Sequence, residues 1–253
     1  MRSYGQFCPV AKAAELFCER WTPLILRDLA LGASRFSELH RGIPLASPTI
    51  LARRLAQLVA EGVVERRDGP GGRGTYHLTP AGQDFVPVVM ALGLWGQRWS
   101  RRELAVHEVD LGLLLWALER GAHPEAFGDG RAVIELLFPE QPEQKRRWWY
   151  LNEHGRAELC LEPPGGEVTL YLQVSLRDMI RIWRGDLPLA RALDDGVLEA
   201  HGGSAAVHAL PRWLGVSPIA DVASRRAELD LPRRGRPASR EPGHHRHPNG
   251  GAP

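Results

Sequence analysis

Apolar residues return every three to four positions through most of the first hundred residues, with clear punctuation between the repeats. Val10, Ala13, Ala14 and Phe17 stand at i, i+3, i+4 and i+7 behind Pro9, which suits the first position of a helix. A second helix is predicted with Thr22 as N-cap and Pro23 as its first residue, running through Leu24, Ile25, Leu26 and Leu29 to a stop at Gly32. A short third helix is predicted over RFSELHRGI. Ser47 and Pro48 repeat the cap-and-proline signature and open SPTILARRLAQLVAEG, where Leu51, Leu55, Leu58 and Val59 form one apolar stripe and Gly62 ends the run. Two short strand-like pieces follow, VVERR and TYHL, joined by DGPGGRG, whose glycines permit a hairpin and whose Arg73 projects from the tip. Thr79 and Pro80 then cap a long helix in which Phe85, Val88, Leu92, Trp95 and Trp99 are spaced three, four, three and four, a seam that wants a partner.

The pattern changes after Arg101 and Arg102. VDLGLLLWALERG reads as a helix, and AVIELLF, RRWWYLNE, RAELCLEP and EVTLYLQV read as four strands, the last alternating Val168, Leu170, Leu172 and Val174 on one face. SLRDMIRIWRGD, capped by Ser175, LPLARALDD and GSAAVHAL are predicted helices. Consecutive strands with short turns imply a largely antiparallel sheet with helices on one side, so the fold class is α+β. After Pro218 hydrophobicity collapses, and LPRRGRPASREPGHHRHPNGGAP reads as a disordered tail, its HHRH solvated rather than metal-bound. The expected organisation is 1–102, 103–220 and a tail at 221–253.

Charge sharpens this division. Residues 1–102 carry 14 Lys and Arg against 8 Asp and Glu, residues 103–220 carry 11 against 18, and the tail carries 7 against 4. The first segment suits a polyanionic partner and the second does not. Three cysteines, Cys8, Cys18 and Cys160, without metal-ligand spacing, argue for a reducing compartment and against structural zinc. With no signal-peptide core and no apolar run of about 20 residues, the expectation is a cytoplasmic protein with no membrane span.

A helix followed by a basic-tipped hairpin is the layout of a winged helix, whose recognition helix enters the major groove with its N-terminal residues at base edges. With Leu51, Leu55 and Leu58 turned inward, Ser47, Pro48, Thr49 and Ala52 face outward with Arg53, and Arg54 lies on the flank. Thr49 can hydrogen-bond a base edge or touch a thymine methyl, and an arginine can grip guanine with two donors. Arg66, Arg67 and Arg73 on the hairpin would meet phosphate or the minor groove of double-stranded DNA. Isolated charges on a helix or loop are usually solvated; here they occupy the places where such an architecture needs them.

CPV, RWTPLILRDL, RFSEL, SPTILARRL, GVVERR and YHLTPAG, in that order over residues 7 to about 99, resemble the HxlR branch of the MarR-like winged-helix regulators. The resemblance implies a transcriptional regulator acting as a homodimer built largely from terminal helices, with one recognition helix per half-site. Thr49 and Ala52 depart from the asparagine and serine frequent at those places, so operator sequence does not carry over. Some members sense oxidants through a cysteine where Cys8 stands. A thiol just before a helix start can have its thiolate favoured by the helix dipole, and the alternative is a small residue packed at the domain edge.

Strand-rich LCL and VTLYLQV, then IWRGDLPLARAL and ALPRWLGVSP, make residues 110–219 similar to the sterol-carrier-protein-like domain. This implies an apolar tunnel for a lipid, an acyl chain or another hydrophobic small-molecule effector. Trp116, Trp148, Leu170, Leu172, Met179, Ile182 and Trp183 are candidate lining, although the same residues would fill an ordinary core. Scattered histidines and the absence of GxSxG, HExxH or a phosphate loop point away from an enzyme, and no cofactor or metal is expected. Two other readings stay open: a lipid carrier with a winged-helix dimerisation scaffold, and a thiol-based redox sensor working through Cys8.

Overall fold

The computed structural model describes residues 3–69 and 74–229. Its first unit packs α1 (Pro9–Phe17), α2 (Thr22–Ala30), α3 (Phe36–Gly42), α4 (Pro48–Ala60) and the start of α5 (Pro80–Trp95) around Ile25, Leu26, Leu39, Leu51, Leu55 and Leu58. Strands β1 (Val64–Asp68) and β2 (Gly74–Leu78) form an antiparallel hairpin beside them. Ser47 and Thr79 cap α4 and α5 as expected, each accepting a backbone N–H three residues on. Thr22 does not cap α2. Trp21 takes that place in the left-handed conformation at φ 80°, and Thr22 becomes the first helical residue, fully buried.

The second unit opens with α6 (Leu111–Gly121) and builds a five-stranded sheet from β3 (Ala132–Leu137), β4 (Arg147–Glu153), β5 (Arg156–Cys160), β6 (Leu170–Val174) and β7 (Leu198–Gly202). The spatial order is β5-β4-β3-β6-β7, antiparallel except where β6 lies parallel to β3. Strand β7 is missing from the sequence-based expectation. Helices α6, α7 (Leu176–Arg184), α8 (Leu189–Asp194) and α9 (Ser204–Trp213) contribute to one core with the inward residues Ile134, Leu136, Tyr150, Leu170, Leu172 and Leu198. Two buried polar groups are satisfied there: Tyr150 donates to the Leu115 carbonyl at 3.1 Å and Trp213 Nε1 to Asn152 Oδ1 at 2.8 Å. Burial pushes the Tyr150 hydroxyl well above its usual pKa, so it stays a donor. Among the described residues no helix is long and apolar enough to cross a membrane.

Helix α6 also faces the first unit. Leu114, Leu115 and Leu118 enter the sheet core, while Trp116 lies against Gly42 at the end of α3. Glu119 joins three elements, pairing with Arg41 at 3.0 Å and accepting the Leu159 backbone N–H at 3.1 Å. Arg120 covers the Trp116 ring at 4.8 Å and donates to the Leu31 carbonyl. Beneath them Asp28 is fully buried; its Oδ1 accepts from Arg27 Nε at 2.8 Å and its Oδ2 has no partner among the described residues.

Burial raises the Asp28 carboxyl above the usual aspartate value, against the pull of Arg27 and of the more distant Arg120. The folded state therefore holds this proton more tightly than the unfolded state. The stability it contributes is full below the ordinary value of 3.8 and is lost as pH rises through the raised value. Asp28→Asn cannot ionise, so its unfolding free energy should gain on the parent's across that window. Urea titrations at several pH values check this, and a pH-independent difference between the two proteins would reject it.

Candidate nucleic-acid interface

The start of α4 presents one polar, exposed face. Ser47 Oγ accepts from the Ile50 backbone N–H at 3.3 Å, and the inward turn of Leu51, Leu55 and Leu58, each 0–1% exposed, leaves Ser47, Pro48, Thr49, Ala52 and Arg53 outside. The turn before it is fixed by His40, whose Nε2 lies 3.0 Å from the Ala46 carbonyl. Arg53 is exposed and available to a partner. Arg54 is committed elsewhere: its side chain is 12% exposed, paired with Glu19, with Nε on the Arg20 carbonyl at 3.3 Å and Nη1 on Gln57 at 2.9 Å. Two of these bonds tie α4 to the turn after α1 and the third stays within α4, so we assign Arg54 to the fold, where the sequence-based expectation was a DNA contact.

The hairpin lies beside this helix in sequence, and an isolated bridge outside its two strands joins it to the turn before α3. Tyr76 donates its N–H to the Ser34 carbonyl at 2.8 Å, and Arg35 bridges Thr75, so Ser34 and Arg35 pair with β2. Two residues carry too little alternation to be read as a strand, and exposed Arg35 was missed with them. Glu38 anchors this turn. Burial opposes its ionisation, but the N–H groups of Arg35 and Ser34, at 2.9 and 2.8 Å, hold its carboxyl below the usual range. Arg66 and Arg67 pair with Asp68 and Glu65 across exposed surface, their side chains 52% and 64% open. Such pairs contribute only about 0–1 kcal/mol, so phosphate can replace the carboxylates. Arg73 lies outside the described residues.

The expected seam on α5 divides into three. Phe85 turns inward and stacks on Phe17 with ring centroids 3.5 Å apart. Val88, Leu92 and Trp95 stay exposed at 45%, 53% and 61%, beside exposed Met90 and Leu94. Trp99 falls in a π-helical turn, Gly96–Ser100, and is half-buried under the Arg225 guanidinium, 5.0 Å from its ring. Cys8 occupies the N-cap of α1, half-buried, with no side-chain cap bond.

The seven candidate pocket residues do not share one wall. Leu170, Leu172, Met179 and Ile182 are 0–2% exposed inside the sheet core, with Trp183 packed at its margin. Trp148, at the start of β4, also packs against that core and donates to the Lys145 carbonyl at 2.7 Å, while Trp116 faces Gly42 in the other unit. A hollow of about 290 Å³ lies instead on the β4–β5 hairpin, lined by Leu151, Glu153, His154, Arg156 and Glu158, a mostly charged set. Arg225 and Arg226, within the stretch expected in the tail, meet the π-helical turn Gly96–Ser100, and Arg226–Glu228 forms a 3₁₀ turn; HHRH lies outside the described residues.

Comparison with known proteins bears on the first unit. The HxlR-like helix-turn-helix family model matches residues 16–104. The HTH-type transcriptional regulator YvaP of Bacillus subtilis (strain 168) is 35% identical over 98 residues, 38% of this chain and 91% of that protein. The HTH-type regulator Rv3095 of Mycobacterium tuberculosis (strain ATCC 25618 / H37Rv) is 39% identical over 95 residues, and the chain spans 60% of its length. For sll1512 of Synechocystis sp. (strain ATCC 27184 / PCC 6803 / Kazusa) the figures are 33% over 101 residues and 75%.

Proposed function

The chain belongs to the HxlR-like helix-turn-helix family, and from this we propose that it is a transcriptional regulator that binds double-stranded DNA as a homodimer in the cytoplasm, by binding rather than catalysis. The observation that carries the reading is the exposed face Ser47, Pro48, Thr49, Ala52 and Arg53 at the start of a capped helix, next in sequence to a hairpin bearing Arg66 and Arg67. The α4 N-terminus can offer a phosphate the Thr49 N–H, since Pro48 has none and Ser47 holds that of Ile50; Arg53 and Thr49 read base edges, and the hairpin arginines fix position on the backbone. The apolar stripe Val88, Leu92 and Trp95 supports the dimer, since heptad-like spacing on an exposed face is buried by a second copy.

Residues 103–220 form, in this proposal, a sterol-carrier-like effector domain for a hydrophobic small molecule. Support comes from the sequence resemblance and from a sheet with helices on one face. A molecule entering between Met179, Ile182 and Leu172 would have to displace packed side chains, and so would act on α6 and through it on α3. Its leverage equals its difference in affinity for the two arrangements.

The test is fluorescence anisotropy on DNA upstream of the protein's own coding sequence, across salt. Binding should be sequence-selective. Arg66→Ala/Arg67→Ala should weaken it on all sequences and reduce the slope of log affinity against log salt by about 2. Equal, weak binding to every DNA by parent and variant would remove the regulator reading.

A further inference from the structure

Between Gly93 and Arg102 the end of α5 is enclosed by chain from more than eighty residues away. Gln97 Nε2 donates to the Arg184 carbonyl at 2.9 Å, Arg184 Nη2 to the Arg102 carbonyl at 3.2 Å, and Arg101 pairs with Asp186 just past α7. The segment 217–229 closes the other side. Ser217 donates its N–H to the Trp183 carbonyl at 2.8 Å, which fastens the segment to α7. Ile219 reaches Gly93, the Arg225 N–H meets the Arg98 carbonyl at 2.7 Å, and Arg226 Nη1 meets the Trp99 carbonyl at 3.0 Å. Gly185 is required where the segment crosses α7. It is left-handed at φ 76°, and a Cβ there would stand 2.3 Å from the Ala220 carbonyl oxygen.

A helix leaves its last carbonyls unsatisfied, and here two of them are capped by Arg225 and Arg226 rather than by the residues that follow. The same stretch is the π-helical turn Gly96–Ser100. A π turn carries one residue more than an α turn, so regaining α geometry would rotate all that follows by about 100°. That phase step explains why Trp99 leaves the line of Val88, Leu92 and Trp95. The groups that meet this turn belong to α7, to Asp186 just past it and to the segment that ends at 229.

We propose that residues 217–229 are a regulatory strap that holds the last turn of α5 in its π-helical form and ties the dimer helix to α7 of the sheet domain. A shift of α7 or of Asp186 then releases the turn and alters dimer geometry. The proposal rests on the homodimer reading above for its consequence, though not for the cap itself.

Full-length Arg225→Ala/Arg226→Ala removes the Trp99 cover and one carbonyl cap. Deuterium uptake over residues 96–102 should rise about ten-fold or more in rate while peptides from α2 and β3 keep their protection. Dimer dissociation measured by sedimentation equilibrium should shift by about three-fold or more. Asp186→Asn, on the opposite side of the turn, should act in the same direction and carries the test if the double variant does not fold. Unchanged uptake over 96–102 overturns the strap. Faster uptake with an unchanged dimer constant overturns its regulatory role, leaving only an end cap. A parent that is monomeric throughout fails the dimer reading, and the regulatory role with it, while uptake still reports on the cap.

Discussion

Gly42→Ala is expected to destabilise the protein by about 3 kcal/mol, the sum of an overpacking cost and damage to a half-buried ion pair. The added methyl would lie 2.0 Å from Asp28 Oδ2, 2.8 Å from its Cγ and 3.0 Å from the far edge of Trp116. None of these can yield freely. Asp28 is held by Arg27 Nε at 2.8 Å, and Arg27 Nη2 in turn holds the Gly42 carbonyl at 3.1 Å, so moving the carboxylate breaks the loop that positions Gly42 itself. Moving Trp116 instead drags α6, with Arg120 over its ring and Glu119 bound to Arg41 and Leu159. Chemical denaturation followed by fluorescence and by far-UV dichroism checks the size of the loss. A double-mutant cycle checks its cause: Asp28→Ala vacates the space that the methyl needs, so Gly42→Ala should cost much less in that background. Strictly additive effects would place the strain elsewhere.

This joint shows where reading residues in a line stops. The apolar positions of α6 mark a buried helix, and that is legible; which neighbour each position meets is not. Leu115 and Trp116 are adjacent and equally apolar, yet one enters the sheet core and the other crosses to Gly42. Trp116 was thus a reasonable pocket candidate by composition and a domain contact by geometry. Arg53 and Arg54 make the same point at the candidate interface. Both follow from one helical stripe, but Arg54 is claimed by Glu19, 35 residues away, a tertiary fact with no local signal. Caps fared better because they are local: Ser47, Thr79 and Ser175 each bond an N–H three residues on, and only Thr22 among the expected caps does not. Strand β7 was missed because only Leu198 is buried along it, Ala200 is half-buried and Gly202 exposed, so the alternation fades. The π turn was missed for a related reason: Trp95 and Trp99 keep heptad spacing in sequence, and the groups that meet the turn where the helix leaves that phase come from more than eighty residues away.

Leu55→Ala should cost about 2–5 kcal/mol, a large part of the roughly 5–15 kcal/mol that holds a typical domain together. Leu55 is 0% exposed in the middle of α4, within a cluster that includes Leu26, Leu39, Leu51 and Leu58. Truncation removes its transfer free energy and leaves a cavity that four helices cannot close without losing contacts of their own. Arg53, two positions earlier and exposed, should give the opposite signature. Arg53→Ala is expected to change stability by less than about 0.5 kcal/mol while costing about 1–3 kcal/mol in binding to the preferred sequence. The two variants separate the helix as scaffold from the helix as reader, since any loss of DNA affinity in Leu55→Ala should track its unfolded fraction and recover on cooling or at lower denaturant. Thermal melts and anisotropy on the same preparations measure both quantities. If Arg53→Ala melts early, or binds selected and random DNA with unchanged discrimination, the exposed face of α4 is not what reads the sequence.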